Sequence, residues 1–219
     1  MTSPSTEFIF IRHGETDWNR QHRFQGQIDV PLNATGHEQA ERLGRRLQDE
    51  AADVLLASDL ERARQTAAPL ARAWGLPVLV EPGVREQAFG MLEGLDFPTI
   101  QREHPQLLAQ WLRHRADFEL PGGGESQRAF YRRVTTAVQA LAVRHAGRRV
   151  AVVTHGGVLD MLWRNAHQQP LDGPRRCDIP NTGLNRLRWR GGVLVIERWA
   201  DDAHLAGPMP QPLAQAARA

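Results

Sequence analysis

Two histidines share one local setting. His13 follows Arg12 and precedes Gly14, and His155 precedes Gly156 and Gly157. Arginine grips phosphate or carboxylate oxygens in a two-pronged fork and keeps its charge. An imidazole carries protons or attacks as a nucleophile near neutral pH. A glycine lets the backbone turn sharply beside a ligand. A cation, an imidazole and a turn are what an anion-handling site requires. Arg62, in the first turn of an expected helix, is a second candidate clamp, because helix N-termini attract anions. Taken singly, each of these residues reads as structural or as surface; the duplication of the His-Gly setting makes them a candidate site.

Elements must bring the two settings together. Phe8-Ile9-Phe10-Ile11 and Val150–Thr154 are apolar runs of strand length, rich in β-branched residues. Ligands of open α/β sheets bind beyond the carboxyl ends of the strands, so if these strands are parallel neighbours the two imidazoles face each other across one pocket. Between them the pattern gives a helix over 36–51, capped by Thr35 with Glu38 completing a capping box. A strand follows at Val54–Ala57, then Ser58-Asp59 as the cap of a helix over 60–74, a strand at Pro77–Val80 and a structured loop over 81–96. Residues 98–115 read as helical with a break at Pro105, and Pro121–Gly124 as a turn. Glu125-Ser126 open a helix to about Arg144, and a helix over 158–167 and a loop over 168–183 follow the second key strand. Leu184–Trp189 and Val193–Trp199 form a hairpin around Gly191-Gly192. The expected fold is α/β, a three-layer α/β/α sandwich with a mostly parallel central sheet. Residues 1–219 are expected to form a single domain with an ordered core at about 7–205, a disordered leader over 1–6 and a disordered tail over 206–219.

Composition narrows the chemistry. All 27 basic residues of the 219 are arginine. The absence of lysine excludes Schiff-base chemistry, lysine-bound pyridoxal phosphate and a phosphate loop that relies on its lysine. The isoelectric point of about 9.4 beside a net charge of +2 reflects the scarcity of groups titrating between pH 7 and 10. The arginines are scattered among acids, so the charge is not a nucleic-acid footprint. No apolar run reaches membrane-spanning length, the N-terminus lacks the pattern of a signal peptide, and a single cysteine, Cys177, fits a reducing cytoplasm.

Arg12-His13-Gly14-Glu15-Thr16 with Trp18-Asn19 resembles the opening motif of the histidine phosphatase superfamily, whose fold is phosphoglycerate-mutase-like. Four further stretches match in order: Leu32–Gly36, Ser58–Ala67, Arg85–Gly90 with Glu93-Gly94, and Thr154–Gly157. The resemblance covers about residues 8–200. It implies that His13 is the nucleophile of a phosphohistidine pathway, that Arg12, Arg62 and His155 line the phosphate pocket, and that Asn19, Gln25, Gly26 and Gly156 add donors. Glu86 would be the acid that protonates the leaving alkoxide and then activates water. No metal or other cofactor is implied, since arginines and histidines supply the positive charge.

Other residues read as supports. Glu15 and Glu93 are expected to hold their loops, Arg132-Arg133 to be helix-surface residues, and the remaining histidines to be surface or boundary residues without metal-ligand spacing. Trp111 and Phe118 are either a wall of the site or packing for the helical insert, and Asn181 resembles a late family motif near the active site. The short interval from Glu86 to His155 and its Pro-Gly-Gly-Gly-Glu-Ser turn favour the phosphatase branch acting on small phosphate monoesters. The alternatives are a cofactor-dependent phosphoglycerate mutase and a non-catalytic phospho-ligand-binding protein. A cytoplasmic location, a possible homodimer and no nucleic-acid or membrane partner complete the reading. The leaving group would be read by side chains within 97–130 and 168–183.

Overall fold

The computed structural model describes residues 5–207. Alternation along the strands dictates the layers. In β1 (Thr6–Arg12), Phe8 and Phe10 face one side of the sheet and Ile9 and Ile11 the other, all buried. Leu56 and Leu55 split the same way in β2 (Val54–Ala57). After β3 (Val78–Val80), Val150 and Val152 oppose Ala151 and Val153 in β4 (Arg149–Thr154). Strands apolar on both faces need helices on both sides. β5 (Leu184–Arg190) and β6 (Val193–Asp201) are the hairpin.

The sheet runs β3-β2-β4-β1-β5-β6, with the first four strands parallel and β5 and β6 antiparallel. The helices are α1 (Asp17–Arg20), α2 (Ala34–Leu47), α3 (Glu61–Trp74), α4 (Phe97–Glu103), α5 (Pro105–Trp111), α6 (Gln127–Arg144) and α7 (Gly156–Ala166). Leu43 and Leu47 of α2 and Ala63, Ala67 and Leu70 of α3 cover the Ile9–Ile11 face. Phe130, Val134 and Val138 of α6 and Val158, Leu159 and Leu162 of α7 cover the Phe8–Phe10 face. The α/β/α sandwich with a mostly parallel sheet is as expected. A smaller cluster, with Leu92, Ile100, Leu108 and Leu120 at its centre, carries Phe24, Phe89 and Trp111, which recur at the site.

The helix caps depart from expectation in two places. Asn33 caps α2, its Oδ1 accepting from the Gly36 N–H at 2.8 Å, and Thr35 lies inside the helix. Asparagine caps at least as well as threonine, and Asn33 is also anchored by donating to Glu15 at 2.8 Å. Glu38 pairs instead with Arg42 and Arg45. α3 begins after Leu60, which has no capping side chain; Asp29 from a distant loop accepts the Glu61 N–H at 2.6 Å, while Asp59 pairs with Arg85. Ser126 caps α6 and Pro105 separates α4 from α5, as expected. α7 starts at Gly156, earlier than expected. Thr6 is part of β1, buried and bonded to the Ala142 carbonyl at 2.7 Å, so the expected leader is too long by that residue. The rest of that leader's start and most of the expected tail lie outside the described residues. No helix among the described residues is long and apolar enough to cross a membrane.

Candidate active site

β1 and β4 are adjacent and parallel, with Arg12 opposite Thr154. The next residue on each strand is a histidine, and the His13 N–H donates to the Thr154 carbonyl at 2.9 Å. The two imidazole centroids therefore lie 5.2 Å apart at the carboxyl edge of the sheet. Gly14 is obligatory, since a β-carbon there would stand 2.6 Å from the Gly36 carbonyl oxygen.

His13 is buried, and its Nδ1 lies 2.7 Å from the Gly14 carbonyl oxygen. A carbonyl only accepts, so Nδ1 carries the proton and Nε2 keeps its lone pair. Burial, helped by the charges of Arg62 and Arg12, drives the His13 pKa well below the usual histidine value against the pull of that Gly14 bond. Burial and the Nδ1–H bond together favour a neutral ring with a free Nε2 lone pair. Its backbone is pinned from behind, where Asn181 Nδ2 donates to the His13 carbonyl at 2.9 Å.

Around it lie buried donors. Arg12 Nη1 donates to the Ile179 carbonyl at 2.6 Å, leaving a buried Nε without a protein partner. Burial first, then repulsion from Arg175, pushes its pKa down to about 10, with Glu86 opposing. Arg62 is fully buried; Nη2 and Nη1 donate to the Gly26 and Ile28 carbonyls at 2.8 and 2.9 Å, and its Nε is unpartnered. It therefore fixes the 26–28 loop while bringing its charge to the cavity. Neither ring nitrogen of the buried His155 has a protein partner. Desolvation, then Arg62, His13 and Arg12, hold that ring well below the ordinary histidine pKa. Unpartnered buried polar atoms are costly; Arg12 and Arg62 carry theirs beside one cavity, and His155 packs against His13, which lines that cavity too.

Seven of the nine expected residues, Arg12, His13, Asn19, Gln25, Gly26, Arg62 and Glu86, line one cavity of about 270 Å³. His155 is not among the residues lining that cavity; its ring centroid lies 5.2 Å from that of His13, and a β-carbon on Gly156 would stand 3.6 Å from Arg12 Nε. Asn19 Oδ1 accepts from the Thr16 N–H at 3.1 Å, which orients its amide. Glu93 Oε1 accepts from the N–H groups of Gln27 and Phe89, in the supporting role expected of it. It occupies the place that a Gly26 β-carbon would need.

Glu86 closes the cavity on the far side. Its Oε2 accepts from the Gly157 N–H at 3.0 Å and its Oε1 from the Gln87 N–H at 2.9 Å. A β-carbon on Gly157 would stand 2.1 Å from Oε1, so the glycine makes room for the carboxyl group. Arg133 is no surface residue. It donates to the Gly83, Arg85 and Glu86 carbonyls at 3.0–3.1 Å and forms a two-pronged pair with Glu125 at 2.7 and 2.8 Å. Its position three residues after the core residue Phe130 was the available signal, because i and i+3 share a helix face. His22, exposed, lines the cavity with Arg23 and Phe24, and His114, half-buried, lines a neighbouring one, so both are surface or boundary residues as expected and both stand at a cavity. Trp111 stacks edge-on against Phe24 and also lines that second cavity, whereas Phe118 only packs the small cluster. Among the described residues no group of three or more His, Cys, Asp or Glu is placed to hold a metal ion.

Residues 8–202 match the family model of the histidine phosphatase superfamily (branch 1). The chain is similar to phosphoglycerate mutase-like protein 4 of Arabidopsis thaliana, 37% identical over 91% of this chain and 86% of that one. It is also similar to the metal-independent phosphoserine phosphatase of the same plant, 36% identical over 93% and 85%. Among solved structures, a mycobacterial glucosyl-3-phosphoglycerate phosphatase with bound VO3 superposes with a TM-score of 0.78 at 28% identity, covering 89% of this chain and 99% of that one. Motif, fold and site agree: the chain belongs to the histidine phosphatase superfamily, branch 1.

Proposed function

We propose that the protein hydrolyses small phosphate monoesters through a phosphohistidine on His13, without a metal. The observation that carries this reading is the state of His13: neutral, tied through Nδ1, with Nε2 among the Arg12 and Arg62 charges. Nε2 attacks phosphorus in line with the ester oxygen, and the P–O bond to the leaving group breaks as the P–N bond forms. Arg12, Arg62 and His155 stabilise the equatorial oxygens, with Asn19, Gln25 and backbone groups around Gly26 and Gly156 as further donors. Glu86 gives its proton to the departing alkoxide. It then takes one from the water that attacks the phosphohistidine, which releases phosphate and restores the neutral ring. Residues 1–219 act as one domain in this reading, and a single cysteine suits a reducing cytoplasm.

A mutase reading draws on relatives named for that activity, such as the probable phosphoglycerate mutase GpmB of Yersinia enterocolitica, 33% identical over 92% of this chain. The two readings differ in whether water reaches the phosphoenzyme. The test is phosphate release from p-nitrophenyl phosphate in excess EDTA, comparing the wild type with His13→Ala. The expected outcome is wild-type turnover that the variant loses. Turnover surviving in His13→Ala sinks the mechanism, and phosphoryl return to a phosphoglycerate without phosphate release supports the mutase.

A further inference from the structure

A second cavity of about 260 Å³ adjoins the first, sharing Glu86 and Phe89 with it. If Glu86 protonates the leaving group, the alcohol portion of the substrate occupies this second chamber; the inference rests on the phosphatase reading to that extent. Phe89, Trp111 and Phe130 give it apolar walls, and two polar side chains are free to act. The Oε1 of Gln127 is buried without a partner. Among the described residues Arg175 has no ion-paired acid and no hydrogen bond, although it stands close enough to Arg12 to repel it. Guanidinium nitrogens of both arginines lie within 4 Å of where a Gly156 β-carbon would be.

Both acids that line the chamber with Arg175 are engaged. Glu86 accepts from two backbone N–H groups, and Asp160 is paired with the buried Arg164 at 3.1 Å. Arg164 also fixes the loop that bears Arg175, donating to the Pro170, Gly173 and Pro174 carbonyls at 2.5, 3.0 and 2.8 Å. Asp172 accepts from the Ala116 N–H at 2.6 Å, and the Gly173 N–H donates to the His114 carbonyl at 3.0 Å, binding the two walls together. Arg175 itself is exposed, but the loop that bears it is tied down, which lowers the cost of ordering its guanidinium on an anion.

We propose that Arg175 determines specificity by reading a carboxylate on the leaving group, with Gln127 hydrogen-bonding a polar group beside it. One arginine and one amide suit a monoanion, in contrast to the two arginines and two imidazoles gathered for the phosphate dianion.

The test is calorimetric binding to His13→Ala protein, which has no nucleophile. The probes are 3-carboxyphenyl phosphate and its neutral amide, 3-carbamoylphenyl phosphate. The expected result is a Kd at least tenfold lower for the acid, a preference that disappears in His13→Ala/Arg175→Gln and persists in His13→Ala/Arg176→Gln. Arg176 is the charge control, exposed and bonded only to Gln169. Equal binding of the two probes to His13→Ala overturns the proposal, as does a preference that survives loss of Arg175 or vanishes with loss of Arg176. These readouts need no turnover, so failure of the phosphatase reading shows separately, as absent phosphate release by the wild type.

Discussion

The two adjoining chambers are built by opposite means. The phosphate chamber rests on strand ends: His13 follows β1, His155 follows β4, and backbone pairing sets their spacing. The second chamber is walled by the first turns of α6 and α7 on one side and on the other by α5 and by loops, whose positions depend on long side chains reaching across to backbone carbonyls. Arg133 holds the Glu86 segment and Arg164 holds the 170–175 loop. Strand-borne chemistry is preset by the core, because moving it means breaking the sheet. Loop-borne recognition hangs on single buried arginines and can change by single substitutions. The molecule thus separates a fixed reaction from an adjustable choice of leaving group.

The sharpest way to break this comparison lies in the first chamber. Arg62→Ala removes a buried cation and both anchors of the Gly26–Ile28 backbone. It should lower kcat by about 10²–10³-fold or more on every ester tested, as loss of a transition-state charge donor does. A loss confined to some leaving groups would place Arg62 with recognition instead. Arg133→Ala should lower kcat by about 10²-fold on alkyl phosphates, within the range of general acid catalysis. Its effect on p-nitrophenyl phosphate should be smaller, since that leaving group needs little protonation. Equal losses on both would show that Arg133 does not act through Glu86.

Arg164→Ala leaves Asp160 as an unpaired buried carboxylate and frees the Pro170, Gly173 and Pro174 carbonyls. The expected cost is about 3–5 kcal/mol of folding stability, read from urea melts. The same variant should narrow the acid-over-amide binding preference, which ties the loop to recognition. The smallest expected effect concerns pH. His13 and His155 are buried and neutral, with pKa values depressed in the folded state. Below about pH 6.5 the unfolded chain binds protons that the folded chain refuses, so stability falls as pH drops through that value. Urea midpoints that stay flat from pH 7 to 5 in the wild type would contradict the neutral-imidazole arrangement. Removing both imidazoles together should flatten the profile.

Legibility followed the same division. Phe8–Ile11 and Val150–Thr154 were readable because a strand buried on both faces is continuously apolar. Arg12, His13, His155 and Gly156 come with those strands. Caps were read less well: Asn33 and Thr35 are both competent, and only Glu15 and Gly36 in three dimensions choose Asn33. The Asp29 cap on α3 and the Arg133 clamp on the Glu86 loop join residues 32 and 47 positions apart, and no local pattern encodes such pairs.

By itself the sequence determined the chemistry on offer: two histidines at strand ends, arginine as the sole cation, and the motif order of a phosphohistidine enzyme. Strand periodicity and glycine geometry are local, so they survive translation from chain to fold. The tertiary structure alone decided which nitrogen of His13 is free, that Arg133 supports Glu86, and that Arg175, unpaired among the described residues, lines a second chamber. Those outcomes depend on burial and on contacts between distant segments. They are fixed only when the loops close on one another and exclude water.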